Sequence, residues 1–162
     1  MSEQSQEKKP TVEKPKQEIR INDILLGSLE RPALKWMAER LPAWVMPDTM
    51  TVLGVIASLL VLFAYTMAGR GELKGNPWLH VASLGFFLNW VGDSLDGTLA
   101  RYRHIERPNY GFFIDHSVDG ITATAMFLGL GFAHISSFEM AAMGLVGYLL
   151  AMIHTYLKTH VT

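Results

Sequence analysis

Beyond residue 47 the chain alternates long apolar runs with short polar breaks. Thr49 to Ala68 carries no charge, and about 20 helical residues reach roughly 30 Å, one hydrocarbon thickness. The segment GRGELKGNP at 69–77 ends that run with three glycines and a proline. A second apolar run, Trp78 to Val91, has 14 residues and is short for a span. It gains the length by continuing through Asp93 and Asp96 to Ala100, which requires both carboxylates to face the protein interior. A third run, Tyr110 to Ala133, contains two aspartates near its start, and a fourth, Phe138 to Leu157, carries only Glu139 at its edge. The pattern predicts an all-α integral membrane helical bundle of about four transmembrane helices.

Two segments precede the first span. Residues 1–18 are Glu, Lys, Gln, Ser and Pro with almost nothing to bury, the composition of a disordered polar tail. With no apolar run after the early lysines, it does not read as a signal peptide. From 19 to 47 the chain turns amphipathic. Ser28 is a candidate cap, with Arg31 and Pro32 in the first turn. Ala33, Leu34, Met37 and Leu41 share one side, and Glu30, Arg31, Lys35, Glu39 and Arg40 take much of the rest. With Trp36 and Trp44 nearby, this predicts a helix lying in the bilayer interface. A net charge of −1 over 162 residues argues against a nucleic-acid partner. The chain has no cysteine, so disulfide staples are excluded.

The chemistry concentrates between Asp93 and Asp119. Asp93 and Asp96 are followed at helical spacing by Gly97, Ala100 and Arg101; after a basic loop, Gly111, Asp115 and Asp119 recur every fourth residue. Each set falls on one helical face. Two helices thus each present a pair of carboxylates beside a glycine that permits close approach to the backbone. Four carboxylates in a low-dielectric setting require protons or a cation to balance them. Carboxylate oxygens suit Mg²⁺, Mn²⁺ or Ca²⁺ rather than zinc or copper, so a one- or two-metal site for phosphate chemistry follows. Aspartates that merely met water at the membrane surface would leave the spacing and the glycines unexplained.

The pattern D-x-x-D-G-x-x-A-R followed by G-x-x-x-D-x-x-x-D resembles the signature of the CDP-alcohol phosphotransferases, and all eight positions are filled. Nine residues separate Arg101 from Gly111, more than the family usually has, and the surplus is assigned to the connecting loop. PDTMTVLG at 47–54 also resembles the family's P-N-x-L-T segment, with Asp48 in place of the usual asparagine. The likeness covers residues 45–157. The family normally has six spans, so 48–158 reads as the catalytic domain without the last two: a fragment, a truncated chain or a short relative.

The resemblance implies transfer of a substituted phosphate from a CDP-alcohol, with CDP-diacylglycerol the expected donor, to a second alcohol with release of CMP. Asp93, Asp96, Asp115 and Asp119 would hold two Mg²⁺ or Mn²⁺ ions, and Asp119 would act as general base. Gly97, Ala100, Arg101 and Gly111 would contact the nucleotide. Arg103 and Arg107 are candidates for an acceptor or lipid phosphate, although simple membrane topology explains them equally well. His116, one residue off the acidic face, reads as a neighbour rather than a ligand. Gly129, Gly131, Gly144 and Gly147 suit close helix packing, and a homodimer is expected.

Eight Lys and Arg precede the first span, Arg101, Arg103 and Arg107 lie in or beside the aspartate loop, and Lys158 follows the fourth span. The opposite loops hold only Arg70 and Lys74. This asymmetry puts the amino-terminus and the acidic site in the cytoplasm, with a bacterial inner membrane the expected location. Two other readings compete. An intramembrane prenyltransferase would leave the G-x-x-A-R piece unused, and a divalent-cation transporter would need polar residues through spans one and four.

Overall fold

The computed structural model describes residues 27–161, with side chains described for 30–158; the polar tail and residues 19–26 lie outside that range. Five helices follow in order: α1 (Gly27–Arg40), α2 (Pro47–Ala68), α3 (Pro77–Tyr102), α4 (Pro108–Phe132) and α5 (Phe138–Val161). No strand occurs among the described residues. The fold is an all-helical membrane bundle. Helices α2 and α5 are each long and apolar enough to cross a bilayer on composition alone, whereas α3 and α4 carry the aspartates that lower theirs.

Local chemistry sets the boundaries. Proline opens α2, α3 and α4, where its missing N–H would have had no intrahelical partner. Asn76 caps α3 by accepting from the Trp78 amide at 3.1 Å. Its amide nitrogen also donates to the carbonyls of Ala68 and Glu72, tying the end of α2 to the start of α3. Past α3 and α4 the chain reverses through His104 and His134, each at a φ of 55°.

Helix α1 differs in detail from expectation. It already includes Ser28, and Pro32 lies inside the helix rather than in its first turn. Leu34 and Ala38 are buried, whereas Ala33 is exposed. The buried pair joins Val45, Met50, Leu95 and Leu99 in a cluster, so α1 packs on the last turns of α3, with Met50 of α2 alongside. Trp36 and Trp44 remain outside, the latter 76% exposed.

Glycine governs how the long helices meet. A Cβ on Gly92 of α3 would stand 2.7 Å from the Met50 carbonyl oxygen and 2.8 Å from the Gly54 nitrogen of α2. Gly85 similarly fits against Val61 and Ala57. Gly129 seats Tyr65 of α2, and Gly131 and Gly144 receive Phe138 and Phe127 at the α4–α5 contact. Gly147 alone of that expected set meets nothing within 4 Å. Near the far end, Gly69 lies against the Phe132 carbonyl, so α2 and α4 run in the same direction.

Gly92→Val forces apart two touching backbones, and an overpacked site of this kind costs about 1–3 kcal/mol or more. The expected result is a clearly lowered unfolding midpoint in detergent, followed by circular dichroism. Gly147→Ala, which fills open space, should leave the midpoint nearly unchanged.

Candidate active site

Because α3 and α4 run in opposite directions across one short turn, their aspartates meet in order of depth. Counting at 1.5 Å per residue, Asp96 lies ~9 Å from the end of α3 and Asp115 ~10 Å from the start of α4. Asp93 and Asp119 lie deeper, at ~14 and ~16 Å.

All four carboxylates line one cavity of about 60 Å³, walled also by Thr51 and Gly54 of α2, Asn89 of α3, and Val118 and Thr122 of α4. By the same measure a water needs about 10–15 Å³, so the space admits small ions or several waters. Asp93, Asp96 and Asp115 also border an adjoining cavity of about 380 Å³. Gly97, Ala100, Arg101 and Gly111 line that larger space. Every position of the eight-residue motif therefore faces one cavity or the other.

Helix α2 fixes the acidic groups from behind. The Thr51 hydroxyl donates to Asp96 Oδ2 at 2.7 Å, while the Gly97 amide donates to Asp96 Oδ1. Asn89 Nδ2 donates to the Gly54 carbonyl at 2.9 Å, beside the Gly54–Gly92 contact. Two features suit a hard cation here. The walls offer oxygen donors, and Thr122 Oγ1 is buried without a hydrogen-bond partner. Among the described residues no three acidic or imidazole groups already stand around a common point at ligand distance. Occupancy would require the carboxylates to draw inward.

The two motif glycines owe nothing to packing or to unusual backbone angles. Gly111 has no atom within 4 Å of where a Cβ would stand. Gly97 meets only the tip of Arg101, at 3.4 Å, and neither glycine has a positive φ. Arg101 lies back along its own helix, with Nη2 donating to Thr98 Oγ1 at 3.3 Å.

The two loop arginines have different surroundings. Arg103 donates to the carbonyls of Leu41, Pro42, Ala43 and Val45, clasping the α1–α2 linker, and it borders neither cavity. Arg107 lies at the mouth of the larger cavity, with Nη2 on both oxygens of Asp48 at 2.8 and 2.9 Å. His116 sits outside both cavities. Its Nδ1 faces the Phe112 carbonyl at 3.0 Å, so that nitrogen carries the proton.

Three polar side chains not singled out from sequence, Thr51, Asn89 and Thr122, are cavity walls. The available signal was a polar group recurring inside an apolar span.

The acidic, oxygen-lined site thus lies between the helices of a membrane bundle. The CDP-alcohol phosphatidyltransferase family model matches residues 44–161, and the chain belongs to that family. It is 27% identical over 97 residues to cholinephosphotransferase 1 of Danio rerio, covering 58% of this chain and 25% of that protein. Human cholinephosphotransferase 1 is 29% identical over 113 residues, covering 65% and 27%. CDP-diacylglycerol–serine O-phosphatidyltransferase of Encephalitozoon cuniculi is 32% identical over 138 residues, covering 84% and 35%. The chain thus spans about a quarter to a third of these relatives. No solved structure gives a significant match.

Arg103→Met removes four hydrogen bonds from a charged donor, bonds of the stronger kind. Hydrogen exchange over residues 41–46 should accelerate about tenfold or more, while the middle of α2 stays protected. An unchanged exchange pattern would show that the clasp contributes nothing.

Proposed function

We propose that the chain carries the catalytic helices of a metal-dependent CDP-alcohol phosphotransferase of phospholipid synthesis. The observation that carries this reading is that two contiguous cavities are lined by all eight motif residues. The smaller is acidic, and the larger has room for part of a nucleotide. Asp93, Asp96, Asp115 and Asp119 would hold two Mg²⁺ or Mn²⁺ ions, which would supply positive charge against that of a diphosphate and of the leaving oxygen.

The remaining roles fall to side chains around that floor. Thr51 orients Asp96 through its hydrogen bond, and Gly97 and Gly111 leave their helix backbones open to the nucleotide. Ala100 keeps the wall between them low, and Arg101 stands close enough to swing from Thr98 to a phosphate. In the transfer step the acceptor hydroxyl oxygen bonds to the phosphorus bearing the donated alcohol. The bond from that phosphorus to the bridging oxygen breaks, CMP departs, and the hydroxyl proton passes to Asp119. That role needs one oxygen of Asp119 free of metal, because a fully coordinated carboxylate is a weak base.

CDP-diacylglycerol is the donor we favour, since the serine phosphatidyltransferase covers 84% of this chain. The cholinephosphotransferase relatives favour a second reading, in which the donor is a CDP-linked amino alcohol and the acceptor a lipid. CMP release from each donor in turn, over a panel of alcohols, separates the two. The basic asymmetry of the loops supports a cytoplasmic site, and the bacterial inner membrane remains a proposal. Exposed Trp36 and Trp44 suit an interfacial α1. A homodimer would use the open α5 face around Gly147, the other packing glycines being occupied within the chain.

Two measurements check the proposal. Asp93→Ala should lower CMP release by at least about a hundredfold with helix content unchanged, and chelation by EDTA should do the same reversibly. Thr51→Val, which strips the donor from Asp96, should weaken Mn²⁺ binding about tenfold in a spectroscopic titration, as loss of an outer partner commonly does. Cation flux in liposomes without CMP release would favour a transporter instead.

A further inference from the structure

The mouth of the larger cavity carries its own charge arrangement. Among the described residues lining that cavity, the basic ones are Arg101 and Arg107. Arg101 lies over Gly97 and Thr98, on the wall assigned to the nucleotide. Arg107 is held by both oxygens of Asp48, and its guanidinium rests 4.3 Å above the Tyr110 ring. Arg103, the remaining arginine of this turn, is committed to four carbonyls outside the cavity. The Asp48 and Arg107 side chains are 52% and 53% exposed, so the pair is no buried brace but stands where an entering ligand meets it.

We infer that the second substrate is an alcohol carrying no phosphate group, and that Asp48 enforces this by neutralising Arg107. The inference rests on the phosphotransferase reading and narrows it to one class of acceptor. A phosphorylated acceptor brings charge beyond that of the donor diphosphate and needs a cation of its own. To take Arg107 it must displace Asp48, leaving a carboxylate beside the incoming phosphate in a cavity already floored by aspartates. Like charges at that range exclude the wrong partner. A neutral alcohol meets no such opposition.

The test uses the full chain in detergent with Mg²⁺. CMP release is followed with serine, ethanolamine, inositol and diacylglycerol, and against them glycerol 3-phosphate and inositol phosphate. Equilibrium dialysis measures binding of labelled glycerol 3-phosphate to the wild type, Asp48→Asn, and Asp48→Asn combined with Arg107→Gln. Asp48 lies in the first turn of α2 behind Pro47, which the variant leaves in place, so the first variant keeps the helix. CMP should appear only with phosphate-free alcohols. Asp48→Asn should bind glycerol 3-phosphate about tenfold more tightly or better, and the added Arg107→Gln should cancel the gain. CMP from glycerol 3-phosphate at the rate of the phosphate-free alcohols, or equal binding by wild type and Asp48→Asn, overturns the inference and leaves the phosphotransferase reading standing. No CMP from any alcohol with any CDP-linked donor overturns both.

Discussion

The backbones of α2 and α3 touch at Gly54 and Gly92, and the position of the acidic site follows from that contact. Lipid tails are as apolar as the side chains they surround, so helices in a bilayer are held by close packing and polar links rather than by escape from water. A pair of glycines allows the closest packing available. Once Gly92 is seated on Gly54, the next residue, Asp93, faces the space between α2 and α4, and Asp96 arrives within 2.7 Å of Thr51. Asn89, one turn earlier, locks the same register by bonding to Gly54 itself. The crossing that packs the bundle thus also turns two carboxylates toward the cavity between the helices.

Much of this was legible in the sequence because it is periodic. The predicted spans match α2 to α5 to within a few residues, since proline and glycine mark the breaks by removing a donor or by permitting a turn. The spacing of Asp93, Asp96, Asp115 and Asp119 placed each pair on one face, and the structure brings the two faces to one cavity. Contacts between helices were less accessible. The buried face of α1 uses Ala38 where Ala33 was expected, because a 14-residue helix with alanines on both sides leaves its rotation to the partner it meets. Gly147 looked equivalent to Gly144, yet Phe127 fills the space at one and nothing approaches the other. Thr51 and Asn89 were invisible for a similar reason. Their importance lies in what they face across the bundle.

Charge shows the same limit in sharper form. In sequence, the motif sets Arg101 apart, but nothing separates Arg103 from Arg107 within the basic block whose asymmetry sets topology. In the fold they diverge within two helical turns. Arg103 is used up on the carbonyls of an irregular linker, which lack the regular partners of a helix or strand. Arg107 meets a carboxylate, and Arg101 lies along the cavity wall. Net charge says that cations are present; only the partners say which of them a ligand can use.

The acidic floor also has an apolar neighbour. Ser117 and Gly120, either side of Asp119, line a groove of about 440 Å³ between α2, α4 and α5, with Leu59, Leu62 and Leu128 along it. Helical geometry makes the pairing unavoidable, since a residue one or two positions from Asp119 must point a quarter-turn or more away from it. Small side chains at Gly120, Thr124 and Ala125 keep that second space open. The polar cavities and the apolar groove therefore open on different sides of α4, and which of them a side chain of this helix borders is decided by its position in the turn.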